Sequence, residues 1–161
     1  MISLLLLMAL FVVALLLAAA TEAYKLQETR DWGYRIASQA ALRGVSAGRD
    51  WTYFYSAGQL RLEETTARNT TQSALQSALA TRGITAYTAD VRVLPDPNGG
   101  SIGNYPPVAR ASMRGATTWT TTRPAVGVYL RIPVAVLFFG WVDRSSTLYL
   151  NIFAASEVTG Q

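Results

Sequence analysis

Residues 1–21 of this chain carry no charged side chain, and the first charge is Glu22. Twelve of the first twenty residues are Leu, Ile, Val or Phe. About 20 apolar residues in a helix match the roughly 30 Å hydrocarbon core of a bilayer. Summing about −0.3 to −0.6 kcal/mol for each of the twelve gives roughly −4 to −7 kcal/mol for membrane insertion. The stretch therefore predicts a hydrophobic helix whose surface must be covered by something other than water.

The helical pattern continues beyond this apolar stretch. Residues 1–46 contain no proline, and the first glycine is Gly33. A helix of about 46 residues is about 70 Å long at 1.5 Å per residue. Gly44, Gly48 and Asp50 indicate where it ends. We therefore divide the chain into a long N-terminal assembly or transmembrane helix, residues 1–48, and a globular head, residues 49–161.

Three interpretations of the apolar stretch are open. A secretory signal peptide fits the three alanines at 18–20, but it normally has a basic start and an apolar core of only about 7–15 residues. A transmembrane helix fits the length, but the nearby bases Lys25 and Arg30 follow it, which by the positive-inside rule places the head in the cytoplasm. A basic leader that preceded Met1 and was removed would instead place the head outside.

The polar second half of the helix carries an apolar stripe at helical spacing, which we expect to pack on the head. Trp32, Tyr34 and Ile36 are the residues predicted to link the two parts. Small residues on other faces favour close approach of neighbouring helices. These are the alanines at 18–20, 37 and 41. Charges at helical spacing predict the ion pairs Lys25–Glu28 and Asp31–Arg35.

The first part of the head predicts one helix. Residues 51–61 are rich in aromatic side chains, and we interpret them as a short extended segment or a loop. A helix of three turns should follow, with Leu75 and Leu79 on one face and Gly83 just after its end. Its N-cap is expected within residues 69–71, Asn-Thr-Thr.

The rest of the head alternates apolar and polar residues with a period of two, which is typical of strands with one buried face. The alternating segments are residues 84–94, 108–116, 125–139 and 146–158, with a short connection at 140–145. The third segment is the clearest, and its predicted buried face consists of Val126, Val128, Leu130, Ile132, Val134, Val136 and Phe138. Pro133 requires an edge position or a bulge. We predict an α+β fold: a long N-terminal helix, a second helix and a sheet of three or four antiparallel strands.

The residues available for chemistry argue against catalysis. The chain has no Cys and no His, and its one lysine, Lys25, lies on the long helix. A nucleophilic site built on Ser and Lys has no second lysine to use, so we expect no enzyme, cofactor or metal. The proline- and glycine-rich residues 95–107 read as a loop, although Asp96, Asn98 and Ser101 faintly resemble calcium ligands. The net charge of +4 comes from scattered arginines, so no nucleic-acid partner is required.

Two segments are candidates for glycosylation. Asn69 begins the sequon Asn-Thr-Thr. Thr120 and Thr121 lie in a threonine cluster, residues 117–122, which could carry O-linked sugars. The alternative for the cluster is an exposed strand or loop.

The long helix and the strand-rich C-terminus together resemble the type IV pilin superfamily. An apolar helix that becomes amphipathic, as in residues 1–47, is the layout of mature pilins, whose basic leader is removed. Residues 128–158, "VYLRIPVAVLFFGWVDRSSTLYLNIFAASEV", and residues 37–45, "ASQAALRGV", are similar to tight-adherence (TadE-like) pilins and pseudopilins. One position departs from the usual pattern, because Leu5 stands where many of these pilins have glutamate. Archaeal-type pilins also begin with a wholly apolar segment.

The resemblance implies a subunit that polymerises into an extracellular, type IV-like filament, and it implies adhesion or surface attachment as the role of that filament. Its partners would be further copies of itself, a prepilin peptidase, the assembly machinery and, before assembly, the membrane. The residues expected to pack in the filament are Met1, Ile2, Leu4, Leu5, Leu6, Leu7, Phe11, Leu15, Leu16 and Leu17.

Two other functions fit the sequence. One is a single-pass membrane protein, either a minor pseudopilin or an anchored domain that binds a partner outside. The other is a secreted domain whose mature chain starts near Thr21 or Tyr24 after signal cleavage.

Overall fold

A computed structural model of the chain describes residues 2–107, 118–136 and 146–159. The described part contains three helices and two antiparallel sheets, which confirms the predicted α+β class. The helices are α1 (Ile2–Ala47), α2 (Trp51–Ala57) and α3 (Glu64–Thr81). The strands are β1 (Thr88–Leu94), β2 (Gly100–Gly103), β3 (Thr118–Thr121), β4 (Ala125–Ala135) and β5 (Thr147–Glu157).

Helix α1 is one continuous element of 46 residues, the length that the sequence predicts. It ends where the chain meets α3: a Cβ on Gly48 would lie 2.6 Å from the Cβ of Ala67. The Gly48 N–H donates to the Gly44 carbonyl at 2.8 Å and closes the last turn. Only a glycine fits this crossing, so the helix end and its contact with α3 have the same cause.

Helix α2 shows that the extended segment or loop predicted over residues 51–61 is wrong for residues 51–57. The Asp50 carboxylate accepts a hydrogen bond from the Tyr53 N–H at 2.9 Å, which caps the helix start. Gly58 adopts a left-handed conformation, with φ +68°, and its N–H donates to the Phe54 carbonyl. The two caps stabilise a helix of seven residues in spite of its aromatic side chains, which favour strands when only propensity is considered.

Helix α3 begins earlier than predicted. It starts at Glu64, so its 18 residues make five turns, and the predicted N-cap residues 69–71 lie inside it. Thr71 is fully buried there, and its hydroxyl donates to the Ala67 carbonyl at 2.7 Å. The expected C-terminal signal is confirmed, because Gly83 follows the helix with φ +69°.

The larger sheet has the strand order β1-β4-β5, with both neighbours antiparallel to the central β4. The face of β4 that was predicted to be buried does pack on the main core together with α1 and α3. Its buried residues are Val126, Val128, Leu130 and Ile132. The prediction of a single buried face is wrong for this strand.

The opposite face of β4 is covered by a second layer. Ala125 and Tyr129 are buried there with Tyr105, Trp119 and Phe153, whose three rings lie 5.5–6.0 Å apart between centroids. Trp119 belongs to β3, which pairs with β2 as a separate two-stranded sheet. Part of the predicted loop at 95–107 and part of the threonine cluster therefore form these strands.

Pro133 occupies the edge position that was expected. The last pair between β1 and β4 is Thr88 with Arg131, whereas β4 and β5 remain paired down to Ala135 and Thr147. Below that last β1 pair the sheet continues as two strands, which we call the arm (residues 132–136 and 146–150). The predicted strand at 108–116, the connection at 140–145 and Phe138 lie outside the described residues.

Candidate assembly and membrane surface

The residues predicted to drive assembly lie on the part of α1 that projects from the head. We call residues 2–21 the apolar half and residues 22–47 the head-packed half. Met1 and the side chain of Ile2 lie outside the described part of the structure. The other eight are between 40% and 68% exposed. They are Leu4, Leu5, Leu6, Leu7, Phe11, Leu15, Leu16 and Leu17.

Helix α1 is long and apolar enough to cross a membrane. Its most apolar 18-residue window has a mean hydropathy of 2.9, and none of that window is buried by the rest of the chain. It is the one helix with these properties among the described residues. The protein thus presents a membrane-length apolar surface with no cover of its own.

The three residues predicted to join helix and head occupy different positions. Ile36 is buried in the main core, and Trp32 is half-buried against it. Tyr34 is 49% exposed and is absent from both described clusters. Gly33 lies on the packed side instead, because a Cβ at that position would clash with Ile152 Cδ1. This contact depends on which strand approaches the helix, so it could not be predicted from the sequence.

Small residues in the head-packed half are used within the chain. Ala37 and Ala41 have no exposed surface and belong to the main core. A Cβ on Gly44 would lie 2.8 Å from the Ala67 carbonyl oxygen and would clash with the Thr71 hydroxyl. Close approach at these positions is therefore between α1 and α3 of one molecule. The alanines at 18 and 20 are exposed, and Ala19 is half-buried.

Charged residues of α1 also contact the head. Glu28 Oε1 lies 3.7 Å from Arg82, and the Arg82 guanidinium stacks on the Trp32 ring at 4.4 Å from its centroid. Neither of the predicted pairs, Lys25–Glu28 and Asp31–Arg35, is within ion-pair distance among the described residues. Because α3 runs antiparallel to α1, its C-terminal arginine reaches the helix at this level. Sequence spacing along a single helix could not predict such a contact.

A crevice of about 220 Å³ marks the boundary between the two halves of α1. The arm supplies Val134 and Ala135 to its walls, and α1 supplies the rest. The α1 residues are Ala18, Thr21, Glu22, Lys25 and Leu26. The head therefore reaches down to the last turn of the apolar half, with no spacer between them.

The other end of the head carries an aromatic surface around α2, a helix with no buried residue. Tyr55 is 82% exposed and Trp51 is half-exposed. The Arg49 guanidinium lies 5.9 Å from the Trp51 ring centroid, and its Nε is buried with no hydrogen-bond partner in the described part of the chain. Arg49 and Trp51 line a cavity of about 340 Å³ together with Phe54 and Leu60. We call this surface the tip.

The candidate glycosylation residues differ in accessibility. Asn69 is exposed, but its sequon lies within α3 and ends on the fully buried Thr71. The folded protein therefore does not display this sequon as a surface loop. Thr121 is buried, and its hydroxyl donates to the Arg123 carbonyl at 2.8 Å. Thr120 is exposed on β3, so it is the accessible one of the two threonine candidates.

The described residues hold no group of three or more His, Cys, Asp or Glu that could bind a metal. Asp96, one of the faint calcium candidates, accepts a hydrogen bond from the Asn98 N–H at 2.8 Å and so closes a turn. The perturbed side chains are structural: burial raises the pKa of Tyr105 well above its usual value, and its hydroxyl donates to the Asp90 carbonyl. Burial also raises the pKa of Tyr129, which donates to Asn151.

No protein-family model, curated protein or solved structure matches this chain. A function must therefore be argued from the exposed apolar helix and the head that it carries.

Proposed function

We propose that this chain is a structural subunit that polymerises through α1 into an extracellular filament of the type IV pilin class, in the tight-adherence or archaeal manner. The observation that best supports this proposal is the division of α1 into two different halves. One half is fixed in the core of the head, and the other projects as an uncovered apolar rod. Surface attachment or adhesion is the role that we propose for the filament.

The apolar half favours association strongly. Full burial of one Leu or Phe side chain contributes about 1.5–3 kcal/mol. The eight exposed assembly residues together therefore contribute on the order of 10 kcal/mol when they are covered. Lipid tails supply that cover in a membrane. Outside the membrane, the apolar halves of other copies are the matching surface, so one surface serves both states.

The shape favours an open polymer. The rod projects from one end of a wider head, so neighbouring rods can meet only if their heads are displaced along or around a common axis. When each copy contacts the next through two different patches, and the rotation from one copy to the next does not close a ring, the copies form an open helical polymer. The rods would form the core of the filament and the heads would cover its outside.

The proposed partners follow from this route. The subunit enters the membrane first, a prepilin peptidase removes its leader, and the assembly machinery extracts it into the polymer. Residues 1–21 carry no carboxylate side chain, so packing of apolar side chains would hold the apolar halves of neighbouring copies together. The role needs no catalytic residue, cofactor or nucleic acid.

A second candidate is a single-pass membrane protein, either a minor pseudopilin or an outward-facing binding domain. The tip is the observation that favours it. Exposed Trp and Tyr beside arginine are enriched at protein interfaces, and α2 displays Trp51 and Tyr55 beside Arg49 at the end of the head farthest from the apolar half.

Electron microscopy of material sheared from cells, with an antibody against the head, separates these candidates. Label along the length of thin filaments is the expected result. Label only at filament ends would favour a minor pseudopilin. Label confined to membranes would favour the anchored domain and contradict the polymer.

Charge reversal on the exposed side of α1 adds a test with a matched control. Asp31 lies in the head-packed half but is itself exposed, so Asp31→Lys should lower filament yield if neighbouring helices meet there. Glu28 is a poorer choice, because it already pairs with Arg82 of the same molecule. Glu157→Lys, at the exposed end of β5, should leave the yield unchanged. Equal yields from both variants would mean that this part of α1 makes no contact between subunits.

A further inference from the structure

We propose that the arm rests among the lipid headgroups while α1 spans the bilayer, so that the lower end of the head is a membrane-binding surface. The inference rests on the membrane-bound state in the proposed function, and it adds a second contact to the one made by α1. The partner is a phospholipid bilayer surface.

Two contacts show the course of the arm along α1. A Cβ on Gly33 would lie 3.3 Å from Ile132 Cδ1, so the top of the arm is at the level of Gly33. Three residues later, Ala135 lines the crevice with Ala18 and Leu26. The arm therefore runs along α1 toward its apolar half and ends beside it.

The length of the apolar half determines the height of the crevice relative to the bilayer. Residues 2–21 form about 30 Å of helix, which matches the hydrocarbon core. Ala18 then lies about 5 Å inside the outer boundary of the core, and Leu26 lies about 7 Å outside it. Each headgroup layer is about 5–7 Å thick. The crevice between these residues, and with it Val134 and Ala135, falls within that layer.

The outward side of the arm carries a tyrosine with an arginine beside it. Tyr149 pairs with Pro133, two residues above the end of β4, so its ring lies about 7 Å higher than Ala135. The ring is half-exposed, and the Arg131 guanidinium stacks on it at 4.0 Å. Tyrosine is enriched at membrane interfaces, and a nearby arginine is attracted to lipid phosphates.

The charge on this surface fits lipid phosphate. No residue of the arm is acidic, and Arg131 is the cation beside its outward side. Lys25 and Glu22 of α1 both line the crevice, so their opposite charges add no net charge there. A surface with apolar residues, a tyrosine and a nearby arginine suits a headgroup layer better than it suits open water.

The absence of cysteine from the sequence makes a direct test available. The single-cysteine variants Ala135→Cys, Tyr55→Cys and Leu10→Cys of the full chain would each carry a thiol-reactive fluorophore. They would be reconstituted in vesicles of phosphatidylcholine and phosphatidylglycerol. Spin-labelled lipids then quench at a known depth, either at the headgroup or along the acyl chain. Residues 55 and 135 are both exposed, so neither substitution disturbs the core.

Headgroup quenching of the label at 135 with none at 55 is the expected result, since 26 residues of α1 place its upper end about 39 Å above the bilayer core. The label at 10 reports on the span and should be quenched by acyl-chain spin labels. If it is not, the membrane-bound state fails, and the inference fails with it. If the label at 10 is quenched and the label at 135 is not, the inference alone is overturned.

Two further outcomes would also overturn the inference. Equal quenching at 55 and 135 would mean that the head lies on its side. Loss of quenching at 135 together with disulfide-linked dimers of unlabelled Ala135→Cys would assign the arm to a second copy of the chain. Arg131→Gln in the Ala135→Cys background should make quenching less dependent on phosphatidylglycerol, whereas Arg123→Gln, near the tip, should not.

Discussion

The two halves of α1 have the same backbone conformation but depend on different surroundings. The head-packed half lies against α3, β4 and β5, and Ile36, Ala40 and Ala41 are buried there by the protein itself. The apolar half is helical although no residue of its most hydrophobic window is buried. Most helices in proteins owe their stability to a packed face. In this molecule only one half has such a face, so the other half must obtain its cover from lipid or from further copies.

The largest effect should come from a charge placed in each half at matched exposure. Leu10 and Leu42 are 62% and 55% exposed in the isolated chain. Leu10→Arg should weaken membrane insertion by about 3–4 kcal/mol, because it replaces a favourable residue with one that costs about 2.5–3.5 kcal/mol. Leu42→Arg should leave insertion unchanged, since residue 42 lies above the bilayer. The measurement is the fraction retained in carbonate-washed membranes, and equal loss from both variants would remove the distinction between the halves.

A smaller effect should come from one methyl group in the head-packed half. At an exposed helix position, Gly→Ala stabilises by about 0.5–1 kcal/mol. Gly44→Ala should instead destabilise the head by about 1–3 kcal/mol, because the new Cβ meets Thr71 and Ala67. Urea unfolding of the detergent-solubilised chain, followed by tryptophan fluorescence, measures the change. Ser46→Ala, two residues away and exposed, is the control and should be neutral or slightly stabilising.

A substitution in the second layer of the head, at Tyr105, tests whether the stability of the head can change without a change in the membrane insertion of the apolar half. Tyr105→Phe removes the hydrogen bond to the Asp90 carbonyl and should cost about 1 kcal/mol of unfolding free energy, with membrane insertion unchanged. Tyr55→Phe is the control at neutral pH, since that ring is almost fully exposed. A loss of membrane association in Tyr105→Phe would show that the halves are coupled.

The same tyrosine gives the protein an alkaline limit. Burial raises the pKa of Tyr105 in the folded state above the value of about 10 that it has when unfolded. Both states keep the proton below pH 10, and above it the unfolded state ionises first, so stability should fall as the pH rises. Tyr105→Phe should make that fall shallower by up to about 1.4 kcal/mol per pH unit. Unfolding midpoints between pH 8 and 11 would show this, and identical slopes would contradict it.

The smallest effect concerns the contact of Arg82 with Glu28 and Trp32. Both charged side chains are about half-exposed, so the ion pair should contribute no more than about 0.5–1 kcal/mol. A double-mutant cycle of Arg82→Gln and Glu28→Gln measures the coupling in the unfolding free energy. Asp31→Gln with Arg82→Gln is the control cycle and should show none. A coupling well above 1 kcal/mol would mean that this contact, rather than apolar packing, fixes α1 to the head.

Elements with a repeated local pattern could be predicted from sequence. The length of α1 follows from its uninterrupted helix formers, and the buried face of β4 follows from the alternation of Val126, Val128 and Leu130. Elements that depend on single cap residues were missed. Asp50 and Gly58 determine α2, and both were visible in the sequence, but the aromatic residues between them were interpreted as an extended segment or a loop.

The contacts that define the candidate site depend on tertiary placement, which the sequence could not supply. Arg82 reaches Glu28 because α3 runs antiparallel to α1, and Tyr34 is half-exposed although its neighbours Gly33 and Ile36 are buried. The second buried face of β4 requires Trp119 and Tyr105 to fold over the sheet from distant segments. The apolar half could be recognised because its signal is compositional.

Pro133 has a consequence for copies of the chain that would meet in a membrane under the proposed function. Below Arg131 the β4 strand has lost its β1 neighbour, and an open strand edge can pair with the same edge of another molecule. A proline at that edge offers no N–H to such a partner. Pairing of two copies through their sheets, which would lead to disordered aggregates, is therefore disfavoured. Association through the apolar halves is not affected, and it is the contact that the proposed filament would use.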